Sequence, residues 1–288
     1  MTLNSLMEGN IVKRPSKLIK SPYVADVCLN GTQEEIITHS ASLGCCGLAD
    51  TNATVMVSPM SVSGKKEKTT EKKEYEKLKC SHRIYLSVLK EKGQEIIVGI
   101  HPKLAEELVE RCLTGNYFQK LANVKSFTRE KTIVIENQVN SRFDFHGYDE
   151  NGVEFIMEVK SVPLADYEDI PKKNKKNVSY DDREYNTKVA YFPDGYKKAS
   201  KDPVSPRALK HIQELTYLKK ERTTNIRCIM CYVIQRDDVN RFTASVIDMH
   251  YKEAFQSALE SGVEVFTLVI KWDKNGNAMF VRDDLPIV

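Results

Sequence analysis

The stretch that decides the fold runs from residue 140 to residue 164, NSRFDFHGYDENGVEFIMEVKSVPL. Two runs rich in aromatic and β-branched residues, 142–148 and 153–162, flank the turn-forming triplet Glu150-Asn151-Gly152. That pattern predicts two antiparallel strands joined as a hairpin. Successive side chains alternate across a strand. Phe155, Met157 and Val159 are therefore expected on one face and Ile156, Glu158 and Lys160 on the other, with Phe143 and Phe145 opposite Asp144. A neighbouring strand thus carries one carboxylate, Asp144, towards a second, Glu158, and towards the ammonium group of Lys160. Two carboxylates suit a hard divalent cation such as Mg2+, which takes oxygen ligands. Such an ion neutralises a phosphate and lowers the pKa of a bound water. A lysine beside it orients that water or steadies the charge that builds on phosphorus. Asp, a gap, then Glu-x-Lys is common in any chain, and the same triplet on a solvated sheet face does no chemistry.

Upstream, residues 23–29 (YVADVCL), 35–38, 53–57, 83–89 and 95–100 are short apolar or β-branched runs separated by turn signals such as Asn30-Gly31 and Lys92-Gly93. Five strands with one long loop predict a small antiparallel barrel. The loop, 61–79, interleaves lysine with glutamate and reads as a solvated excursion. A helix is expected from His101-Pro102, with Leu104, Leu108, Val109 and Cys112 at helical spacing and Gly115 as its stop. A second short helix is expected over 117–124. Downstream, strands are predicted at 132–136, 189–192, 227–235, 242–247 and 263–270, and helices at 205–220 and 250–261. This mixture indicates an α/β or α+β domain. The expected division is a barrel over 10–100 and a mixed domain over 101–288, without internal repeats.

With 288 residues, 29% charged and 41% hydrophobic, the composition excludes wholesale disorder. No basic segment leads into an apolar one at the start, and no apolar run approaches the about 20 residues of a membrane span. Seven cysteines, an odd number, make no disulfide framework, so a soluble protein of a reducing intracellular compartment is expected. The net charge of +3 is too small to prove nucleic-acid binding, but 43 basic residues cluster enough to make one face positive.

The second half of the chain resembles the sugar fermentation stimulation protein A family. The resemblance rests on 140–145 (NSRFDF), 153–164 (VEFIMEVKSVPL), 191–194 (YFPD), 207–215 (RALKHIQEL), 233–236 (VIQR) and 247–264, in the family's order. A looser likeness covers Lys13-Arg14, His39, Gly44, Gly47-Leu48 and 99–108 (GIHPKLAEEL). It implies a mixed α/β protein, an N-terminal OB-like barrel followed by a PD-(D/E)xK restriction-endonuclease-like domain. It also implies DNA binding and metal-dependent phosphodiester cleavage by the second domain; the metal expected is Mg2+, with Mn2+ as a substitute, and RNA is a second candidate substrate. Carried onto this chain, Asp144 and Glu158 look like the metal ligands and Lys160 like the catalytic lysine. The family also has a glutamate before the SR-x-DF segment; Glu136 is the nearest candidate and Glu130 the other. This chain departs from the family after the histidine, where Ser42-Leu43-Gly44-Cys45-Cys46 replaces an Asn-Thr-Gly-like turn.

Further residues are candidates for nucleic-acid contact. Arg142 lies within the same segment. Arg207, His211 and Glu214 share one face of the predicted helix, where Arg207 and His211 would meet a phosphate and Glu214 would orient the histidine. Lys13, Arg14, Lys17 and Lys20, with Tyr23, offer a groove on the barrel. Lys172, Lys173, Lys175 and Lys176 suit phosphate contact through counterion release, and Gln235-Arg236 either touches the backbone or caps a strand. His146 shares the strand face of Asp144. Cys228 and Cys231 lie inside an apolar strand, facing opposite sides, and read as buried thiols rather than a zinc site. The alternative function is a DNA-binding regulator without turnover, whose acidic site is vestigial. A homodimer would suit cutting of both strands, and no feature demands one.

Overall fold

The structure, a computed structural model, describes residues 1–40, 46–60, 80–175, 178–195, 202–221 and 225–288. The lysine-glutamate loop 61–79, the substituted turn 42–45 and Lys176 lie outside the described residues.

The chain opens with β1 (Met7–Lys13), which runs antiparallel to β2 (Val24–Leu29), itself antiparallel to β3 (Glu35–His39). On the other side of β1 lies β4 (Thr54–Pro59), followed antiparallel by β5 (His82–Glu91). Thr38 pairs with His82 and His39 with Arg83, in parallel, so β3 meets β5 and closes the ring β1-β2-β3-β5-β4. This is the OB-like arrangement, and Ile11, Ala25, Val27, Val55, Val57 and Ile84 fill it. The strand pattern in the sequence missed β1 and counted β6 (Gln94–Gly99) in its place; β6 extends β5 outside the ring. The reason is Gly9. It reads as a breaker, yet a Cβ there would stand 2.7 Å from the carbonyl oxygen of Cys28, so only glycine lets β1 and β2 approach.

Helix α1 (Lys103–Gly115) buries Leu104, Ala105, Leu108, Val109, Cys112 and Leu113, and Asn116 ends it in the left-handed region. The helix expected over 117–124 does not form. Phe118 and Leu121 are buried, but Asp283 accepts the backbone N–H of Gln119 at 2.8 Å and holds an irregular path.

The second sheet begins with β7 (Val124–Ile135), β8 (Val139–Asp149) and β9 (Glu154–Val162), a meander. A short β10 (Ala165–Asp166), α2 (Lys172–Lys175) and β11 (Lys188–Phe192) follow, then α3 (Pro206–Glu221), β12 (Ile226–Ile234), β13 (Val239–Ala244), α4 (Met249–Glu260), β14 (Glu264–Trp272) and β15 (Ala278–Arg282). The six-stranded order is β15-β14-β12-β9-β8-β7, with β9, β12 and β14 parallel, and β10-β11-β13 make a smaller sheet. Both β10 and β15 escaped the sequence pattern, β10 because it has two residues and β15 because it lies largely exposed.

One face of the large sheet packs on α3 and α4 through Phe143, Ile156, Ile212, Tyr232 and Phe255. The other packs on α1 through Phe145, Phe155, Met157 and Phe266. A central strand covered on both faces reads as continuously apolar, which is why β12 is IRCIMCYVI. Cys228 belongs to one face and Cys231 to the other, as strand alternation requires.

Barrel and sheet share a core. Met56, Leu86, Val88 and Ile97 join the α1 cluster. Gly99 donates its N–H to the Gln235 carbonyl at 3.0 Å, and a Cβ on Gly99 would lie 2.3 Å from Gln235 Oε1. Nearby, buried Lys188 bridges Glu91 of β5 at 2.9 Å and Asp238 at 2.7 Å, and Arg236 grips Asp238 with two nitrogens.

Candidate active site

The β8–β9 ladder runs from Tyr148 opposite Glu154 to Phe145 opposite Met157 and then opens. The next residues, Asp144 and Glu158, do not exchange backbone bonds. Instead, Asp144 Oδ2 accepts the N–H of Val159 at 2.7 Å. Beyond this point β8 stays with β7 and β9 with β12, so the two strands part and leave a pocket of about 300 Å3. Asp144, Glu158, Lys160 and Ser161 line it from the sheet, Ala105 and Glu106 from α1, and Arg207 and Ala208 from the start of α3. The parting also corrects one expectation. Phe143 and Phe145 were placed on a common face, but Phe143 packs with α3 and Phe145 with α1, one on each side of the sheet.

Glu158 is 2% exposed. Its Oε1 is bonded by Lys160 Nζ and by His211 Nδ1, while its Oε2 has no partner among the described residues. Burial opposes its charge, but Lys160 and His211 outweigh burial and hold its pKa below the ordinary glutamate value. Asp144 differs. Burial, then the Glu158 charge, pushes its pKa up to about 7, with the Val159 N–H and Lys160 pulling back. Two neighbouring carboxylates driven apart in this way are short of positive charge. A hard cation would supply it, and the unpartnered Oε2 could serve as an oxygen donor. No group of three or more His, Cys, Asp and Glu positioned for a metal occurs among the described residues. Mg2+ needs no such cage, since it is commonly held by one or two carboxylates and keeps several waters.

The fold is that of a solved protein, Pyrococcus furiosus SfsA in complex with Ca2+, which matches with a TM-score of 0.70 over 100% of this chain and 98% of that one, at 19% identity. A relative from Histophilus somni, named a sugar fermentation stimulation protein homolog, is 28% identical over 276 residues, 95% of this chain and 92% of its own. The chain is thus similar to the sugar fermentation stimulation protein family. The family model, described as the sugar fermentation stimulation protein RE domain, matches residues 175–276, the part that contains α3, α4 and β11 to β14. A homolog from Clostridium perfringens is 28% identical over 173 residues, a stretch that spans 60% of either chain.

The structure gathers Asp144, Glu158, Lys160 and Arg207 at one pocket. His211, 4% exposed, stands behind Glu158 rather than at the pocket wall. Glu214 does not orient it; Glu214 Oε1 accepts the N–H of Asn140 at 2.9 Å. Glu136 sits exposed in the turn between β7 and β8, and Glu130 pairs with exposed Arg142 at 3.3 Å, so neither glutamate lines the pocket. The carboxylate that does is Glu106, which α1 supplies and whose charge adds to the upward push on Asp144. Arg129 of β7 holds Glu106 at 2.9 Å and Glu110 at 2.8 Å. Glu106 lies within the segment that carried the looser resemblance, and its spacing of four from Glu110 was the signal available.

On the barrel, Lys13 is exposed at the end of β1. Arg14 donates to the carbonyls of Pro22 at 2.9 Å and Ala49 at 3.0 Å, which ties down the loop it starts. Lys17 pairs with Glu35 at 2.8 Å. Lys175 pairs with Asp166, and Gln235 and Arg236 are buried in the junction. His146 meets Glu154 at 2.9 Å, away from Asp144. None of the helices among the described residues is long and apolar enough to cross a membrane.

Proposed function

We propose that this protein is a Mg2+-dependent nuclease that hydrolyses phosphodiester bonds in DNA, with residues 101–288 as the cleaving unit and the barrel, 10–100, holding the strand. The observation that carries the reading is the parting of β8 from β9 at Asp144 and Glu158, which opens a pocket lined by two carboxylates, a lysine and an arginine. Asp144 and Glu158 are the residues that would hold the cation, Mg2+ or Mn2+, through Asp144 and the unpartnered Oε2 of Glu158. When bound, that ion supplies charge neutralisation at phosphorus and a more acidic water. The Ca2+ bound to the Pyrococcus furiosus relative is a hard cation of the same preference for oxygen.

The chain's own residues do the rest. His211 and Lys160 converge on Oε1 of Glu158, and so fix which oxygen faces the pocket. Lys160, 12% exposed at its side chain, keeps an ammonium group beside the reacting phosphate, where negative charge develops. Arg207, at the exposed start of α3, grips a phosphate oxygen from the opposite wall.

The deciding experiment is cleavage of supercoiled plasmid with Mg2+ against EDTA, for wild type and for Asp144→Ala. Wild type is expected to nick with Mg2+ only, and Asp144→Ala to retain DNA in a filter assay without nicking it. Wild type that binds DNA but never cuts it, with Mg2+ or Mn2+, would establish the non-catalytic regulator instead.

A further inference from the structure

A second cluster lies on the outside of the barrel, away from the four residues assigned above. His39 of β3 and Arg83 of β5 are register partners where the ring closes. Arg83 and Tyr85 are two residues apart, so they share the outer face of β5, opposite Ile84 in the barrel core. His101 packs there: its ring centroid lies 5.1 Å from that of Tyr85, with the rings tilted by 31°, and its backbone N–H donates to the Tyr85 carbonyl at 3.3 Å.

Each of these three side chains has a buried nitrogen with no hydrogen-bond partner among the described residues: Nδ1 of His39, Nε of Arg83 and Nδ1 of His101. His101 is 5% exposed. Burial pushes its imidazole down to about 4, and Arg83, His39 and Lys103 push the same way. Burial and Arg83 likewise lower His39. An unsatisfied buried polar group is costly, and three gathered in one patch beside the Arg83 cation add up to a large penalty. An anion removes that cost. The place is also suggestive, because Ile100 and Pro102, on either side of His101, line the acidic pocket.

We propose that His39, Arg83 and His101 form an anion site that seats a backbone phosphate of the nucleic acid whose scissile phosphate occupies the acidic pocket. The identity of the ligand rests on the hydrolytic reading. The guanidinium of Arg83 binds the phosphate oxygens, and each neutral imidazole offers one N–H, so the site needs no protonated histidine. A phosphate held here fixes the strand's register over Asp144 and Glu158 without reading sequence.

The test uses the full chain. Side-chain NMR of the histidine rings is followed while inorganic phosphate is added. Affinity for a fluorescent duplex oligonucleotide is measured in EDTA over a salt series. Both are compared among wild type, Arg83→Gln and His101→Gln, with circular dichroism melts to confirm folding. The rings of His39 and His101 are expected to shift saturably with phosphate in wild type and not in Arg83→Gln. The oligonucleotide affinity of Arg83→Gln is expected to fall about tenfold, with the salt slope smaller by about one. Rings that phosphate leaves unmoved, or a folded Arg83→Gln that binds the oligonucleotide like wild type, overturn the proposal. Cleavage that depends on Asp144 while Arg83→Gln binds normally sinks this site alone. Wild type that never cuts, with the ring shifts and the affinity loss intact, sinks the hydrolytic reading and leaves the site standing.

Discussion

His211 Nδ1 and Lys160 Nζ meet on the same oxygen of Glu158, Oε1, and leave Oε2 without a partner among the described residues. A helix more than fifty residues downstream thus decides how a strand carboxylate faces its pocket. Groups that orient a ligating carboxylate tune a metal site nearly as strongly as the ligands do.

His211→Ala is expected to lower Mn2+ affinity by about 10–100-fold, read by titration calorimetry, and to lower kcat with little change in KM for the oligonucleotide. His211→Asn, which keeps a donor near the same place, is expected to recover part of the metal affinity. Wild-type metal binding by a folded His211→Ala would show that the histidine only fills space.

Asp144 makes stability depend on pH with a definite sign. Its pKa rises from 3.8 to about 7 on folding. Between those values the native state keeps a proton that the unfolded state releases, so this group's contribution to stability falls as pH rises through that window. In EDTA at pH 8, Asp144→Asn is therefore expected to melt higher than wild type, by a difference on the order of 1–3 kcal/mol. Adding Mg2+ is expected to raise the Tm of wild type and not of the variant. Thermal melts in EDTA and in Mg2+ at pH 5 and pH 8 check both halves; a variant that melts lower at pH 8 would contradict the assigned strain.

The junction between barrel and sheet rests on buried charges. Asp238 is fully buried between Lys188 and Arg236. Burial opposes its charge, but these two cations more than compensate and hold its pKa below the ordinary aspartate value of 3.8. The stability it contributes is present above 3.8 and is lost as pH falls through the lower folded value. Asp238→Ala leaves Arg236 without its carboxylate and Lys188 with Glu91 alone, for a loss of about 3–5 kcal/mol in urea unfolding. A loss below 1 kcal/mol would mean that the cations find other partners.

Arg207 is exposed at the mouth of the pocket, so its removal is expected to spare the fold. Arg207→Ala should change stability by no more than about 0.5 kcal/mol while raising KM for DNA several-fold. An unaltered KM would remove Arg207 from the phosphate path.

Alternation and turn signals alone placed β2 to β6, the β8–β9 hairpin, β12, β14, α1, α3 and α4, because those patterns are set by neighbours a few residues away. The nearness of Asp144 to Glu158 and Lys160 was legible for the same reason: a hairpin makes sequence neighbours into spatial ones. What the residues alone left open was everything that depends on docking. Glu106 was hidden because only the packing of α1 on the sheet, through Leu104, Leu108 and Cys112, brings it to the pocket. His211 was expected at a phosphate and stands behind Glu158, since the burial of Ile212 and Leu215 sets the rotation of α3. Phe143 and Phe145 fell on separate sides because the strands part between two packed layers, and a period-two pattern carries no record of where a ladder opens. Local chemistry wrote the elements; the two apolar faces, each satisfied by a different helix, decided which side chains share a pocket.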